Sequence, residues 1–341
     1  MSYRVPDGRK KAVRAVLDRL RAGRNVILTT HVNADGDGVG CQIALQDALE
    51  RRGAHAWIVN PTTFPDRFAF LLSDGSVVLD PSSERTREIC READLAVVVD
   101  TGEASRIGRV RPLIEHLDTI VVDHHPPGSD PISGISLRDP EACATGELVY
   151  DVVSMADGPW SDSVLHGLYV AILTDTGSFR FSNSTPAAHR ITADLIERGA
   201  DPEGLHREVY GARSVRSLRL LQQSLETLDV DDERLVAGMV VPREAYDRLE
   251  ATPEDLEGFV DFPRGVEGVE VGILFRTTRK GDTKMSLRSN GEVDVNAIAR
   301  SFGGGGHVKA AGATVPRPIG EVVPKVLEAS RDAARKAREE S

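Results

Sequence analysis

Aromatic residues make up only 5% of the 341-residue chain: two Trp, five Tyr and nine Phe. Long single strands of nucleic acid are bound on rows of aromatic platforms, and a chain this poor in them has no material for such rows. Cysteine is as scarce. Cys41, Cys90 and Cys143 are odd in number, widely spaced and contain no Cys-x-x-Cys pair, which excludes a disulfide framework and leaves reduced thiols. No apolar run approaches the length of a membrane span, and residues 1–20 are basic and polar rather than signal-like. The expectation is a cytoplasmic protein with no membrane partner. Positive charge is in deficit too, with 42 Lys and Arg against 53 Asp and Glu, a formal net charge of -11. Wrapping a long duplex needs the opposite balance; a short anionic substrate stays open where metal ions supply local positive charge.

What is present is the composition of a globular enzyme, 40% hydrophobic and 28% charged, at a length that favours two domains. In the first half, Val- and Ile-rich runs at 25–30, 54–60, 95–100 and 119–123 alternate with helical patterns, among them 38–52, 144–155 and 161–173. Such alternation predicts an α/β domain, a mostly parallel sheet with helices on both faces, whose ligands gather outside the carboxyl ends of the strands. From 185 to about 229 the pattern is helical and charged and reads as a connector. Beyond it, strand-like runs at 235–241, 270–276 and 283–288, with helices at 242–249, 294–302 and from about 320, predict a smaller α/β domain with a mixed sheet. The expected layout is 1–185, 186–229 and 230–341.

Four times an apolar segment ends on Asp or His. His31-Val32-Asn33-Ala34-Asp35-Gly36-Asp37-Gly38 follows the first run; Val99-Asp100 and Asp123-His124-His125 close two others; Thr174-Asp175-Thr176-Gly177 follows the helical pattern from 161. Each alone is an ordinary turn or helix cap. Together they deliver His31, Asp35, Asp37, Asp100, His124 and Asp175 to one region. Four carboxylates in one cleft repel and raise each other's pKa unless cations neutralise them, and two divalent ions balance the four charges. A carboxylate-rich set with two imidazoles and no thiolate suits Mn²⁺, with Mg²⁺, Co²⁺ or Fe²⁺ as alternatives, and argues against structural Zn²⁺.

The second half has the opposite polarity. Arg276, Arg279, Lys280, Lys284, Arg288, Arg300, His307 and Lys309 surround the strand-like runs and the stretch Gly303-Gly304-Gly305-Gly306. Consecutive glycines let backbone N–H groups approach an anion, and His307 adds a side-chain donor. Arg288 reads as a bidentate phosphate clamp or as a surface arginine on an edge strand. Phe179 and Phe181, just after Asp175, read as core or as contacts to a base or ribose.

The run from His31 to Asp37, Asp100 with Thr101, Asp123-His124-His125 and Thr174-Asp175-Thr176-Gly177 resemble the four successive motifs of the DHH phosphoesterase superfamily. Gly303 to Gly312 resembles the signature of its associated C-terminal domain. In length and architecture the chain resembles the branch of bifunctional oligoribonucleases (nanoRNases) and 3′-phosphoadenosine 5′-phosphate phosphatases, which overlaps with cyclic di-AMP and linear dinucleotide phosphodiesterases. RecJ-type exonucleases carry extra DNA-binding domains for which there is no room, and family II inorganic pyrophosphatases lack the glycine-histidine signature.

The resemblance implies two Mn²⁺ ions, one held by His31, Asp35 and Asp100 and the other by Asp37, Asp100, His124 and Asp175. Asp100 bridges them at ~3.5–4 Å, and a water between them is the nucleophile. It further implies Asp123 orienting a ligand imidazole, His125 facing substrate as a donor or proton source, and Asn33 holding its loop or touching phosphate. Arg288, Gly304, Gly305, Gly306 and His307 would hold the substrate's terminal phosphate or base. The expected activity is hydrolysis of short oligoribonucleotides, linear or cyclic dinucleotides, or 3′,5′-bisphosphate nucleosides such as pAp. Chemistry falls to the first domain, recognition to the second, and the expected assembly is a homodimer. The competing readings are a catalytically silent nucleotide- or RNA-binding regulator and a pyrophosphatase or polyphosphatase.

Overall fold

The computed structural model describes residues 3–21, 23–211, 213–233 and 235–340. The chain divides into two compact units, Met1–Ala212 and Arg213–Ser341. The first runs α1 (Asp7–Leu17), β1 (Asn25–Thr29), α2 (Gly36–Arg51), β2 (His55–Val59), β3 (Val78–Leu79), α3 (Glu84–Glu92), β4 (Leu95–Val99), α4 (Arg111–Ile114), β5 (Asp118–Asp123), β6 (Ile135–Arg138), α5 (Thr145–Met155), α6 (Asp162–Asp175), α7 (Pro186–Glu197) and α8 (Pro202–His206). The second runs α9 (Val215–Leu225), β7 (Asp229–Val230), β8 (Val236–Val241), α10 (Arg243–Arg248), α11 (Asp261–Arg264), β9 (Val271–Thr277), β10 (Thr283–Ser289), α12 (Val295–Ser301), β11 (Gly305–His307), β12 (Ala310–Val315) and α13 (Ile319–Glu340).

The first sheet is parallel throughout, in the order β3-β2-β1-β4-β5-β6. Its strands read as unbroken apolar runs because both faces are covered. Val26, Leu28, Val97 and Val99 enter one core, while Ile27, Ala96 and Val98 enter the other. With β1 beside β4, the chain leaves these neighbours in opposite directions, opening a crevice at their carboxyl ends. The residues that follow β1, β4 and β5 at this edge are His31, Asp100 and His124.

One helix pair fixes the crevice wall. A Cβ on Gly40 of α2 would strike the carbonyl oxygen of Gly167 on α6, and a Cβ on Gly167 would meet the oxygen of Gly40 at 2.5 Å. Only glycine allows backbones this close. Asp37 stands at the start of α2 and Asp175 at the end of α6, so the same packing sets the distance between two acidic side chains of the site.

The second sheet has the order β11-β12-β10-β9-β8-β7, with β8 and β9 parallel and the remaining pairs antiparallel. Val295, Ile298, Val322 and Val326 of α12 and α13 pack on Ile273, Phe275, Met285 and Leu287. The opposite face buries Leu220, Leu221 and Phe259 against Met239, Val241 and Leu274. Among the described residues no helix is long and apolar enough to cross a membrane.

Two sequence expectations need adjusting. The stretch 186–229 is not a separate connector, because Ala188, Ile191 and Leu195 of α7 join the first unit's core, and Leu220 and Leu221 of α9 join a core of the second. Each helix hides a narrow apolar stripe beneath a charged face. The glycine stretch is not a free loop either, since Gly305–His307 forms a strand paired with β12. Asp175 ends a helix, in keeping with the helical pattern from 161, so the fourth motif reaches the edge from the layer above the sheet.

Candidate metal centre

His31 is buried, and its ring orientation is set by one bond. Nδ1 lies 2.9 Å from the Val32 carbonyl oxygen, which can only accept, so Nδ1 carries the proton and Nε2 presents its lone pair. That Nε2 lies 3.2 Å from Asp100 Oδ2 and 3.8 Å from Asp35 Oδ2. Burial pushes the imidazole's pKa down, which keeps it the neutral ligand a cation requires.

Asp35 caps α2, its Oδ1 accepting from the N–H groups of Asp37 and Gly38 at 3.2 Å. Asp37 is held still more firmly. Its two oxygens accept from the backbone N–H groups of Thr145 and Gly146, at 2.7 and 2.8 Å. These are among the amides a helix leaves unpaired at its N-terminus, here that of α5. Asp100 adopts φ 61°, an uncommon conformation for a non-glycine residue, and accepts from the Thr145 hydroxyl at 3.1 Å.

His124 stands at the centre of the arrangement. Its Nδ1 faces the Ala142 carbonyl at 3.3 Å, while its Nε2 is buried with no hydrogen-bond partner. Around that nitrogen stand Asp175 Oδ2 at 3.6 Å, Asp100 Oδ1 at 3.8 Å and Asp37 Oδ2 at 3.9 Å. These separations exceed hydrogen bonds, but they suit donor atoms that each lie ~2.0–2.2 Å from a shared cation. The potential ligand atoms form overlapping groups, His31 with Asp35 and Asp100, Asp37 with His124 and Asp175, and Asp100 with His124 and His125. Within each group all lie within 4.8 Å of one another.

Electrostatics points the same way. Burial, then the neighbouring carboxylates, pushes Asp100 well above the usual carboxylate range. Burial also raises Asp37, against the pull of His124, and lifts Asp175 to about 8. Asp175 and Asp37 hold His124 above the ordinary imidazole value despite its burial. Acids and an imidazole that strain against their own charges are relieved by bound cations.

His125, whose Nδ1 lies 3.7 Å from Asp100 Oδ1, is also tied into a second chain of contacts. Asp123 Oδ1 accepts from its Nδ1 at 2.8 Å and from its backbone N–H at 3.1 Å, and Arg138 Nη2 lies 3.2 Å from the other Asp123 oxygen. His125 and Arg138 together hold this buried carboxyl below its ordinary pKa. Asp123 therefore orients the ring of His125 and not that of His124, contrary to the expectation that it orients a ligand imidazole.

Sequence reasoning missed Thr145, Gly146, Arg138 and Asn183. Asn183 Nδ2 donates to Asp175 Oδ2 at 3.3 Å and to the Cys143 carbonyl at 2.8 Å. The only signal among these was the start of a helical pattern near 144, whose first amides had to find acceptors. Asn33 lies in the left-handed region at φ 55° with an exposed side chain, and its backbone N–H binds the Thr62 hydroxyl. Phe179 packs against the core and lies 5.3 Å from the His189 ring, whereas Phe181 is exposed.

The model of the DHH family N-terminal domain matches residues 25–172, and that of the DHHA1 domain matches residues 235–336. Over 324 residues the chain is 33% identical to the bifunctional oligoribonuclease and PAP phosphatase NrnA of Thermus thermophilus, covering 94% of each chain. The chain belongs to the DHH family. An exopolyphosphatase-related protein from Bacteroides fragilis matches it with a TM-score of 0.87 at 26% identity, over 96% of both chains. RecJ of Thermus thermophilus, in complex with Mn²⁺, shares the fold with a TM-score of 0.54 at 18% identity, covering 98% of this chain and 55% of that one.

In the DHHA1 domain, Arg288 lies on β10, between β9 and β12, and not on an edge strand. It is half-buried, its Nη1 donating to the Leu287 carbonyl at 3.1 Å. The glycines of the DHHA1 signature have a packing role. A Cβ on Gly304 would strike the Gly312 carbonyl oxygen, and one on Gly306 would meet that of Ala310 at 2.5 Å, so both allow β11 to lie against β12. His307 is exposed at the end of β11, and Lys309 Nζ donates to the Gly291 carbonyl.

Proposed function

We propose that this DHH protein is a di-metal phosphohydrolase of short oligoribonucleotides and 3′,5′-bisphosphate nucleosides. The observation that carries the proposal is the buried, partnerless Nε2 of His124 among three carboxylate oxygens, beside a second donor group that shares Asp100. His31, Asp35 and Asp100 would hold one cation, and Asp37, Asp100, His124 and Asp175 the other. Mn²⁺ suits this donor set best. When bound, such a pair supplies an acidified water and neutralises charge on the phosphoryl group.

The protein's own groups do the rest. His125, its ring oriented through Nδ1 by Asp123, would donate a proton to a phosphoryl oxygen or to the departing alkoxide. The negative charge held on Asp123 by Arg138 stabilises the imidazolium that gives up this proton, as an orienting carboxylate does in other acid–base pairs. Asn33 and the first turn of α2 hold the loop that carries Asp35 and Asp37. In the DHHA1 domain, Arg288, Gly304, Gly305, Gly306 and His307 bind the substrate's phosphate or base. The substrate class follows from the 33% identical relative named for oligoribonuclease and PAP phosphatase activity, and from a chain too acidic and too poor in aromatics to grip a long strand.

A regulator that had lost catalysis would be expected to have lost a ligand, yet all six positions hold competent ones. The deciding experiment measures product release from pAp, pApA, cyclic di-AMP, short 5′-phosphorylated oligoadenylates and a 24-mer, with Mn²⁺, with Mg²⁺ and with chelator. Hydrolysis of the short substrates that chelator abolishes is expected. Turnover that persists in chelator, or no turnover of any nucleotide, overturns the proposal.

A further inference from the structure

Strand β10 carries two kinds of side chain on its two faces. Thr283, Met285, Leu287 and Ser289 are buried, whereas Lys284 is exposed and Ser286 and Arg288 are half-buried on the other face. Successive members of this second set stand ~7 Å apart along the strand. On the β12 side the residues opposite Lys284, Ser286 and Arg288 are the small Thr314, Gly312 and Ala310, while on the β9 side Arg264 of α11 packs over Gly272, the residue opposite Arg288.

At the far end of the row from Arg288 the charges are arranged against stability. Lys284 lies directly opposite Arg276 of β9, and like charges so placed repel. Neither side chain forms an ion pair among the described residues, and partial desolvation of the ammonium, followed by the charge of Arg276, pushes Lys284 below its ordinary pKa. The intervening turn adds Arg279 and Lys280, against Asp282 as its single acid. In a chain of net charge -11, this concentration of unneutralised cations at one hairpin calls for an anion from outside.

Arg288 and Lys284 are separated by four strand residues, or ~13 Å. The Arg288 guanidinium donates to the adjacent Leu287 carbonyl and feels the charges of Asp261, Glu257 and Arg264 at its own end of the row. A 3′,5′-bisphosphate nucleoside carries both phosphates on one ribose and is short for that span; a strand of several nucleotides reaches across it. We infer that β10 is a phosphate ruler: Arg288 holds one phosphate of a short single strand, and Lys284 with Arg276 holds another farther along, with the Ser286 hydroxyl between them. This rests on the reading of Arg288 as a phosphate ligand. It makes the DHHA1 sheet a sensor of substrate length, because only substrates with a distal phosphate gain the second contact.

The test compares kcat/KM of the full-length Mn²⁺-loaded protein for a 5′-phosphorylated adenylate dinucleotide and for the corresponding tetranucleotide. It uses wild type, K284A, R276A and K284R. In K284A and R276A the tetramer-to-dimer ratio is expected to fall about tenfold, and the slope of log kcat/KM against log salt for the tetramer should drop by about one. K284R should keep the wild-type ratio. Relief of the Lys284–Arg276 repulsion should leave the melting temperature of K284A no lower than wild type, which separates lost binding from damaged folding. An unchanged ratio in K284A sinks the ruler while leaving the phosphohydrolase assignment intact. Failure of wild type to cleave either substrate instead removes the assignment on which the ruler rests.

Discussion

The imidazole of His125 and the carboxylate of Asp123 are joined twice, through Nδ1 at 2.8 Å and through the backbone N–H at 3.1 Å. A carboxylate that grips both the ring and the main chain of a residue two positions on fixes the direction of Nε2. Behind it, Arg138 holds the second oxygen, and Gly102 leaves the space the guanidinium occupies, since a Cβ there would collide with it. If His125 is the proton donor, its loss is felt in proportion to how badly the leaving group needs a proton. H125N and D123N should lower kcat by about 10²–10⁴ for nucleotide leaving groups, and far less for a p-nitrophenyl ester, whose leaving group departs without help. Equal losses on both substrates refute a proton-donor role and reduce the pair to scaffolding.

Removing a proposed ligand tests the candidate cation sites themselves. D100A and H124A should lose nearly all turnover and bind fewer ions, while their far-UV circular dichroism stays that of wild type, because both side chains sit at the sheet edge and contribute little core. Metal content measured on the dialysed proteins is the check, and near-wild-type activity in either variant contradicts the assignment.

Acidity gives an independent handle. Asp37, Asp100 and Asp175 all have folded-state pKa values above their unfolded ones, that of Asp175 reaching about 8. The metal-free fold therefore binds extra protons, and the stability this confers is full below the unfolded value of ~3.9 and is lost as pH rises through about 8. Melting temperatures in chelator should decline across that window. Added Mn²⁺ should raise them most at its alkaline end, where protons no longer compete. A metal-induced shift that is the same at every pH is incompatible with these carboxylates being the ligands.

The crossing of α2 and α6 offers a remote way to disturb the site. G40A inserts a methyl group against the Gly167 backbone, and overpacking of this kind costs about 1–3 kcal/mol. Because the same contact spaces Asp37 from Asp175, weakened metal affinity should accompany the lower stability seen in chemical denaturation. A variant that loses stability but keeps full metal affinity would uncouple the two.

Much of this organisation was legible in the residues because burial writes itself into sequence. Val97 to Val99 had to be a strand buried on both faces, and the acidic residue after each run had to stand at the sheet's carboxyl edge. The DHH motifs were readable for the same reason. The short strand β6 was not, since Ile135, Ser136, Leu137 and Arg138 alternate too briefly to stand out, and with it went the role of Arg138. Ala310 to Val315 concealed β12 behind small residues of poor strand propensity. Thr145 and Gly146 serve Asp37 through their backbone amides, so nothing about their side chains announced it. The division at 212/213 was obscured because α7 and α9 carry similar charged faces while packing into different units.

The two proposed cation positions are not alike in their tethering. Asp37 is 1% exposed with both oxygens engaged by backbone amides, whereas Asp35 is 59% exposed and spends one oxygen on capping its helix. A donor that cannot turn resists ligand exchange, and one facing solvent lets water in stepwise. Ions held through Asp37 should thus leave slowly and those held through Asp35 quickly, giving a biphasic release during stopped-flow chelation. The molecule would then keep one resident ion while trading the other with its surroundings.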